Sequence, residues 1–377
     1  MDLTPQRQES ASRFRRFADE HVRAHSAAWD AAGRMDTKLV AVLAQEGLLA
    51  PVIAREHGGA AMDDLDYGLL CRELSAACSS TRSLVTVQGM VAHAIQRWGT
   101  PEQHARWLPG LASGDAVAGF CLTEEQTGSD AASVQTTVHF DGAGARLTGR
   151  KLWTTFGQIA DLFLVIGTSE RGPTAVVVPK DAPGLRTEPV QPMLGLRAAM
   201  LATVVLDDCE VPADNVLGKP GFGFSHVAST VLDHGRHSIA WGCAGIARDC
   251  LESSAAHAST REQFGFPISE HQLVRRLVSR MVVGVASAEA LCEKAAAARM
   301  RRDPDAILET MSAKYLASRV AWKAASDAVQ VHGAAGCTPE SSVQRHLRDA
   351  RIMRIIEGTD QMLELTICDL AFRRAAP

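Results

Sequence analysis

The chain has 377 residues, 46% of them apolar and 22% charged, with a formal net charge of −4 and a pI near 6.4. That length exceeds one ordinary core, so two or three packed regions are expected, and the composition excludes a disordered chain. There is no basic excess to steer the molecule toward nucleic acid or an anionic membrane.

Met1-Asp2-Leu3-Thr4-Pro5 starts polar and leads into a charged segment. It lacks the apolar core of a signal peptide, and no later stretch is long enough to span a bilayer. The expectation is a cytoplasmic protein without a membrane partner. Nine cysteines with no C-x-x-C pair read as reduced, mostly buried thiols. His234 and His237 lack a Cys or acidic partner at metal spacing, so a structural or surface role is expected and no metal site.

Three texts follow one another. Residues 1–114 read as an N-terminal helical domain, with apolar residues such as Leu39, Val42 and Leu43 at helical spacing. Stops are legible at His57-Gly58-Gly59 and at Trp98-Gly99-Thr100-Pro101, where Thr-Pro can open a new helix. Residues 115–219 read as a middle antiparallel β domain. Its expected strands cover 133–140, 145–153, 162–167, 174–178 and 202–206, parted by turns such as Asp141-Gly142-Ala143-Gly144. Residues 220–377 return to helical text and predict a C-terminal four-helix bundle. There 239–247 is packed with small residues, as suits a helix closely approached by a neighbour.

Four stretches carry chemistry. The first runs from Phe120 to Asp130 and crowds Thr123, Glu124, Gln126, Thr127, Gly128 and Ser129 into a turn after an apolar strand. Its donors can converge on a polar ring edge, or form an ordinary Asx-type turn. In the second, Lys151 to Gly157, Trp153 beside Thr154 and Thr155 can stack on a planar cofactor or pack as a strand-edge aromatic. The third, Arg261 to Ile268 with Gln272 beyond it, suits a diphosphate and an adenine, or is simply a helix end.

The fourth comprises Gln330 to Gly336, Arg345 to Arg351 and Ile355 to Gln361. Its arginine-rich middle reads as a solvated helix face. In its last part Glu357 ends an apolar helix, Gly358 can take a left-handed cap, and Thr359 or Asp360 can cap the next helix. Apolar neighbours Ile355 and Ile356 would raise the carboxyl pKa and make Glu357 a competent base near neutrality. The chain has no P-loop, and no G-x-G-x-x-G follows a strand, which disfavours an NTPase and a nicotinamide-binding unit.

In this order and at these distances the four stretches resemble the acyl-CoA dehydrogenase family, over essentially the whole chain. The resemblance implies a mainly α fold with a β domain, an FAD cofactor in the cleft between them, and Glu357 as catalytic base. It implies flavin-ring contacts from Thr123, Ser129, Trp153 and Thr155, and further FAD contacts from Thr359 and Gln361. Arg261, Phe264 and Gln272 match residues that reach the FAD of a neighbouring subunit, and Gln330, Gly333 and Ala334 match the same diphosphate and adenine site. A homodimer or homotetramer follows, with an electron-transfer flavoprotein or oxygen as electron acceptor. Arg236 matches an arginine flanking the substrate channel. Some relatives carry the base just before it, and that position here is Gly235.

Departures narrow the class. Ala334 replaces a glycine, and Ile356 stands where an aromatic residue usually precedes the base. In the segment that lines the acyl pocket of relatives, this chain offers Arg82, Ser83 and Thr86. A buried arginine fits a fatty chain poorly. The alternatives are that Arg82 turns to solvent or pairs with Glu73. These segments look like a branch from polyketide and nonribosomal peptide antibiotic pathways. That branch oxidises small acyl groups on an acyl carrier protein to hydroxymalonyl- or aminomalonyl-type extender units. Open alternatives are α,β-desaturation of a short acyl-CoA or of carrier-bound prolyl, a flavin monooxygenase of the same fold, and a flavin-free docking protein.

Overall fold

The computed structural model describes residues 4–142 and 144–375. Residues 1–3 and Ala143 of the expected 141–144 turn lie outside the described residues. Six helices come first: α1 (Pro5–His21), α2 (Ser26–Ala32), α3 (Lys38–Gln45), α4 (Asp64–Ala77), α5 (Ser79–Trp98) and α6 (Pro101–Ser113). Capping chemistry sets several of their starts. Asp63 Oδ1 accepts from Leu65 N and Asp66 N at 3.1 and 3.0 Å, and Thr100 with Gln103 forms a capping box ahead of Pro101. The boundary read at Trp98–Pro101 is therefore where α5 gives way to α6. At His57-Gly58-Gly59 the structure differs, with a 3-10 turn, Arg55–His57, in place of an α-helix end. Gly59 packs so tightly on Ile53 that an added Cβ would meet its carbonyl oxygen at 2.1 Å.

The middle segment forms an eight-stranded sheet from β1 (Ala118–Cys121), β2 (Thr137–Phe140), β3 (Gly144–Thr154), β4 (Leu162–Ser169), β5 (Gly172–Pro179), β6 (Leu185–Pro189), β7 (Ala202–Pro212) and β8 (Val216–Leu217). Their order is β6-β7-β3-β2-β4-β5-β8, with β1 beside β4. Pairing is antiparallel except that β1 and β2 run parallel to β4. The strand expected from Ser133 begins only at Thr137. Gln135 N and Thr136 N donate to the Glu124 carboxylate at 2.6 and 2.9 Å and so are not free for a ladder. Edge strand β6 escaped the sequence reading because Leu-Arg-Thr-Glu-Pro has no apolar alternation.

The last segment comprises α7 (Ser229–Thr260), a hairpin of β9 (Glu262–Gln263) and β10 (Phe266–Pro267), α8 (Gln272–Met300), α9 (Ala306–His332), α10 (Ser342–Met353) and α11 (Asp360–Ala375). Helices α7, α8 and α9 pack on one another, and α10 lies against α7 and α9. The small residues of 239–247 do admit a close neighbour. A Cβ on Gly245 would fall 2.0 Å from Arg72 O, so α4 crosses α7 nearly backbone to backbone.

Helix α10 corrects an expectation. Arg345, His346 and Asp349 are buried rather than solvated. Arg345 donates to Ala77 O at 3.2 Å, His346 meets Asp249 at 2.9 Å, and Asp349 accepts from Leu196 N at 2.6 Å. The charges are internal ties to α4, α7 and the segment between β6 and β7. Seven cysteines are buried, two are exposed and none is paired. Among the described residues no helix is long and apolar enough to cross a membrane, and no cluster of three His, Cys, Asp or Glu is placed to hold a metal ion.

Candidate active site

After α10 the chain turns through 354–359 before α11 begins. Ile355 N and Ile356 N fold back onto Ile352 O at 2.8 and 3.2 Å. Glu357 and Gly358 then take φ values of +55° and +99°, and Thr359 Oγ1 caps α11 by accepting from Met362 N at 3.3 Å. The glycine and the cap follow from the sequence, but a left-handed glutamate does not. Such a residue costs on the order of 1–3 kcal/mol and persists where its surroundings hold it. Here two cations do so, with Arg236 Nε donating to Glu357 O at 2.9 Å and Lys314 Nζ to Gly358 O at 2.6 Å.

The carboxyl group packs against Gly235 of α7. An added Cβ there would lie 2.8 Å from Glu357 Cδ, so the glycine makes the space the carboxyl group occupies. Oε2 is buried with no hydrogen-bond partner. Burial pushes the carboxyl up to about 7, against the opposing pull of Arg236, Lys314 and Arg82. A carboxyl group with one oxygen free of any donor, half-ionised near neutrality, is poised to accept a proton. Gly235→Ala, which helix propensity alone favours, is expected to displace this carboxylate. A loss of about 100-fold in kcat with an unchanged melting temperature checks the point.

One and two turns along α7 from Gly235 lie Ser238 and Gly242. Facing them are Arg82 and Thr86 of α5 and Tyr67, Cys71 and Ser75 of α4. Arg82 is 1% exposed and reaches Thr86 Oγ1 and Met353 Sδ, each at 3.2 Å, while its Nε has no partner. It neither turns to solvent nor pairs with Glu73, which binds Arg72 at 2.7 Å. Thr86 Oγ1 lies 2.6 Å from Ser238 Oγ, itself 3.2 Å from Cys71 Sγ. Ser83 donates to Ser79 O at 3.0 Å, so its hydroxyl hydrogen is engaged by its own helix. Tyr67 OH and His234 Nε2 are buried without partners, their rings stacked at 4.6 Å. Tyr67, Ser238, His234 and Lys314 were not among the expected site residues, because only their burial sets them apart.

Thr123 follows β1 and is tied to β3 next to Trp153, with Thr155 two residues beyond it, while Ser129 lies in the bend after β1. Leu152 N donates to Thr123 O at 2.8 Å. The register of β3 against β7 slips between Lys151 and Thr154, and within that bulge Trp153 has φ +54° and is 50% exposed. Phe156 N donates to Ala199 O at 2.9 Å, and the same segment docks on α10 through Leu196, which links these residues to the helix leading into Glu357.

A second set lies at the far end of the helical bundle. Stacked His257 and His332, 4.5 Å apart, bring the ends of α7 and α9 together. Arg261, Phe264 and Gln272 therefore come to one region with Gln330, Gly333 and Ala334, all of them exposed. Phe264 and Gly265 form a left-handed hairpin tip that leaves the Phe264 ring 92% exposed.

Models of the N-terminal, middle and C-terminal domains of acyl-CoA dehydrogenase match residues 4–115, 119–209 and 221–370. The chain belongs to the acyl-CoA dehydrogenase family. It is 36% identical to the solved structure of FkbI, described as serving biosynthesis of the methoxymalonyl extender unit of the Fk520 polyketide immunosuppressant. That match has a TM-score of 0.89 and covers 97% of this chain and 99% of that one. Glutaryl-CoA dehydrogenase from Mycobacterium smegmatis is 33% identical, with a TM-score of 0.95 and coverage of 98% and 95%. The prolyl acyl carrier protein oxidase AnaB is 27% identical, with a TM-score of 0.90 and coverage of 98% and 99%.

As an acyl-CoA dehydrogenase the protein is an FAD-dependent oxidoreductase acting on thioesters. Its residues fit that cofactor. A half-exposed indole at a bulge in the sheet, with Thr155 two residues on, suits the face and edge of a flavin, and the buried carboxylate has an unpartnered oxygen. The arginine and bare phenylalanine at the far end suit a diphosphate and an adenine.

Proposed function

We propose that the protein oxidises a small polar acyl group carried as a thioester on an acyl carrier protein. The acyl group is of the 2-hydroxy- or 2-amino-3-oxopropionyl type, and the product is the hydroxymalonyl or aminomalonyl unit used in secondary-metabolite extender biosynthesis. Arg82 carries the reading. It is buried, meets no carboxylate among the described residues and keeps an unpartnered Nε. A guanidinium in that setting is stabilised by an anionic or strongly accepting ligand and opposes a hydrocarbon tail. The extender-unit role printed for FkbI and the carrier-bound substrate printed for AnaB support it.

In this mechanism Glu357 takes one O–H proton from the hydrate of the C3 aldehyde, loss of the C3 hydride leaves the carboxylic acid, and that acid releases its second proton to water to give the carboxylate that Arg82 receives. Arg236 borders the substrate channel, and Ile356 and Thr86 confine the acyl group. An FAD held at this site would supply the acceptor for the C3 hydride. Thr123, Ser129, Trp153, Thr155, Thr359 and Gln361 would hold its flavin half. Arg261, Phe264, Gln272, Gln330, Gly333 and Ala334 would reach the FAD of a neighbouring subunit in a homodimer or homotetramer. An electron-transfer flavoprotein or oxygen would reoxidise it.

Arg82 favours a second reading too, in which it meets the distal carboxylate of a short dicarboxylic acyl-CoA that is desaturated between its α and β carbons. Anaerobic bleaching of the flavin against carrier-bound and CoA-bound acyl groups separates the two. Carrier-bound 2-hydroxy-3-oxopropionate is expected to bleach it fastest, and Arg82→Met to lower kcat/KM for that substrate about 100-fold, as loss of a charge-assisted contact does. Rapid reduction by butyryl- or octanoyl-CoA with indifference to carrier-bound hydroxy-aldehydes would exclude the proposal.

A further inference from the structure

We propose that Lys314 is a positioning residue for the catalytic base, its ammonium group pinning the Gly358 carbonyl and so holding Glu357 in its left-handed conformation. The inference does not depend on which acyl group the enzyme takes. Lys314 sits in α9, 44 residues before Gly358, and is 0% exposed. Its Nζ donates to a backbone carbonyl at 2.6 Å rather than to a carboxylate. Burying an ammonium group is costly, so a lysine that spends its charge on one loop carbonyl is there for that loop.

The loop requires such a hold. Glu357 and Gly358 are consecutive left-handed residues, and each offers its carbonyl to a different cation, half-buried Arg236 and fully buried Lys314. Arg236 approaches from α7 and Lys314 from α9, so the loop is gripped from two helices. Without Lys314, only Arg236 and the Asp360 N to Arg354 O bond at 3.2 Å would hold Glu357 in its strained conformation.

Charge adds to geometry. Glu357 is faced by Arg236 of α7, Lys314 of α9 and Arg82 of α5, all of which favour the carboxylate against burial. Lys314 is faced by Cys243 and Arg236 of α7, Glu357 of the loop and Asp360 of α11. Asp360 is itself committed to Arg354 at 2.6 Å and lies 3.5 Å from Arg319. Removing the lysine therefore takes a favourable charge from Glu357 and frees the loop together.

The test uses flavin-loaded Lys314→Met and Lys314→Arg enzymes. The Glu357 carboxyl is titrated by infrared difference spectroscopy, its band identified by its loss in Glu357→Gln. Flavin reduction by the most reactive thioester is followed across pH. Lys314→Met is expected to raise the carboxyl midpoint by about one unit, a tenfold change in the ionisation ratio. It should also lower the high-pH plateau of kcat about 10- to 100-fold, with KM changed far less. Lys314→Arg should return the midpoint most of the way. A Lys314→Met enzyme with normal flavin content and an unmoved midpoint and plateau overturns the proposal, as does an arginine variant displaced as far as the methionine one. If the methionine variant does not fold, Lys314→Gln is titrated instead. A raised midpoint there supports the assignment, and an unchanged one refutes it.

Discussion

Replacing Glu357 by Gln is expected to slow flavin reduction by at least about 1,000-fold, within the range of a positioned general base. The same change should make the protein more stable above neutral pH. Glutamine keeps the shape that packs against Gly235 but cannot accept the proton. The carboxyl titrates near 7 in the folded protein against an ordinary value of 4.5, because burial outweighs Arg236, Lys314 and Arg82. The folded state thus keeps a proton that the unfolded chain releases between those values. The stability this contributes is present below 4.5 and is lost as pH rises through about 7. Glutamine removes that slope, so the gain in urea midpoint should be large at pH 8 and small at pH 4.5. Bleaching that survives the substitution refutes the base, and an equal stability gain at both pH values refutes its buried titration.

The largest loss of stability is expected from Lys151→Met. Glu124 is buried beneath the 122–136 segment, where its carboxylate accepts from Lys151 Nζ, Thr136 Oγ1, Gln135 N and Thr136 N at 2.6, 2.6, 2.6 and 2.9 Å. Burial alone would raise this carboxyl, but the Lys151 and Thr136 hydrogen bonds outweigh it and hold it down to about 2. Removing the cation strands a buried carboxylate, at a cost of about 3–5 kcal/mol. The segment carries Thr123 and Ser129, so flavin content should fall with stability. In the native protein this stability is present above 4.5 and lost as pH falls toward 2. Lys151→Met should flatten that acid limb, and the double variant with Glu124→Gln should recover most of the loss. A destabilisation below about 1 kcal/mol would show that the pair does not anchor the segment.

These two sites differ in how far they could be read from sequence. Glu357, Gly358 and Thr359 are contiguous, and a left-handed glycine followed by a capping threonine is local chemistry that needs no partner. The turn from helical to β text and back is equally local, carried by side-chain period and turn residues. Glu124 and Lys151 stand 27 residues apart and look like any surface pair until the fold closes over them. Arg345, His346 and Asp349 misled in the opposite direction. Their charges suggested solvent, while the fold supplied buried partners from α4, α7 and the segment before β7.

By itself the sequence determined the order of helical, β and helical regions, the family, the cofactor and the helix break at Glu357. The regional order and the helix break follow from short-range patterns, and the family and cofactor from the resemblance carried by four stretches in order. Only the tertiary structure decided that Gly235 makes room for the carboxylate, that Lys314 and Arg236 grip its loop, and that Arg82 lies buried without an acid. Burial and charge pairing arise between elements distant in the chain, and they set the pKa of a carboxyl group that the sequence places at a helix break.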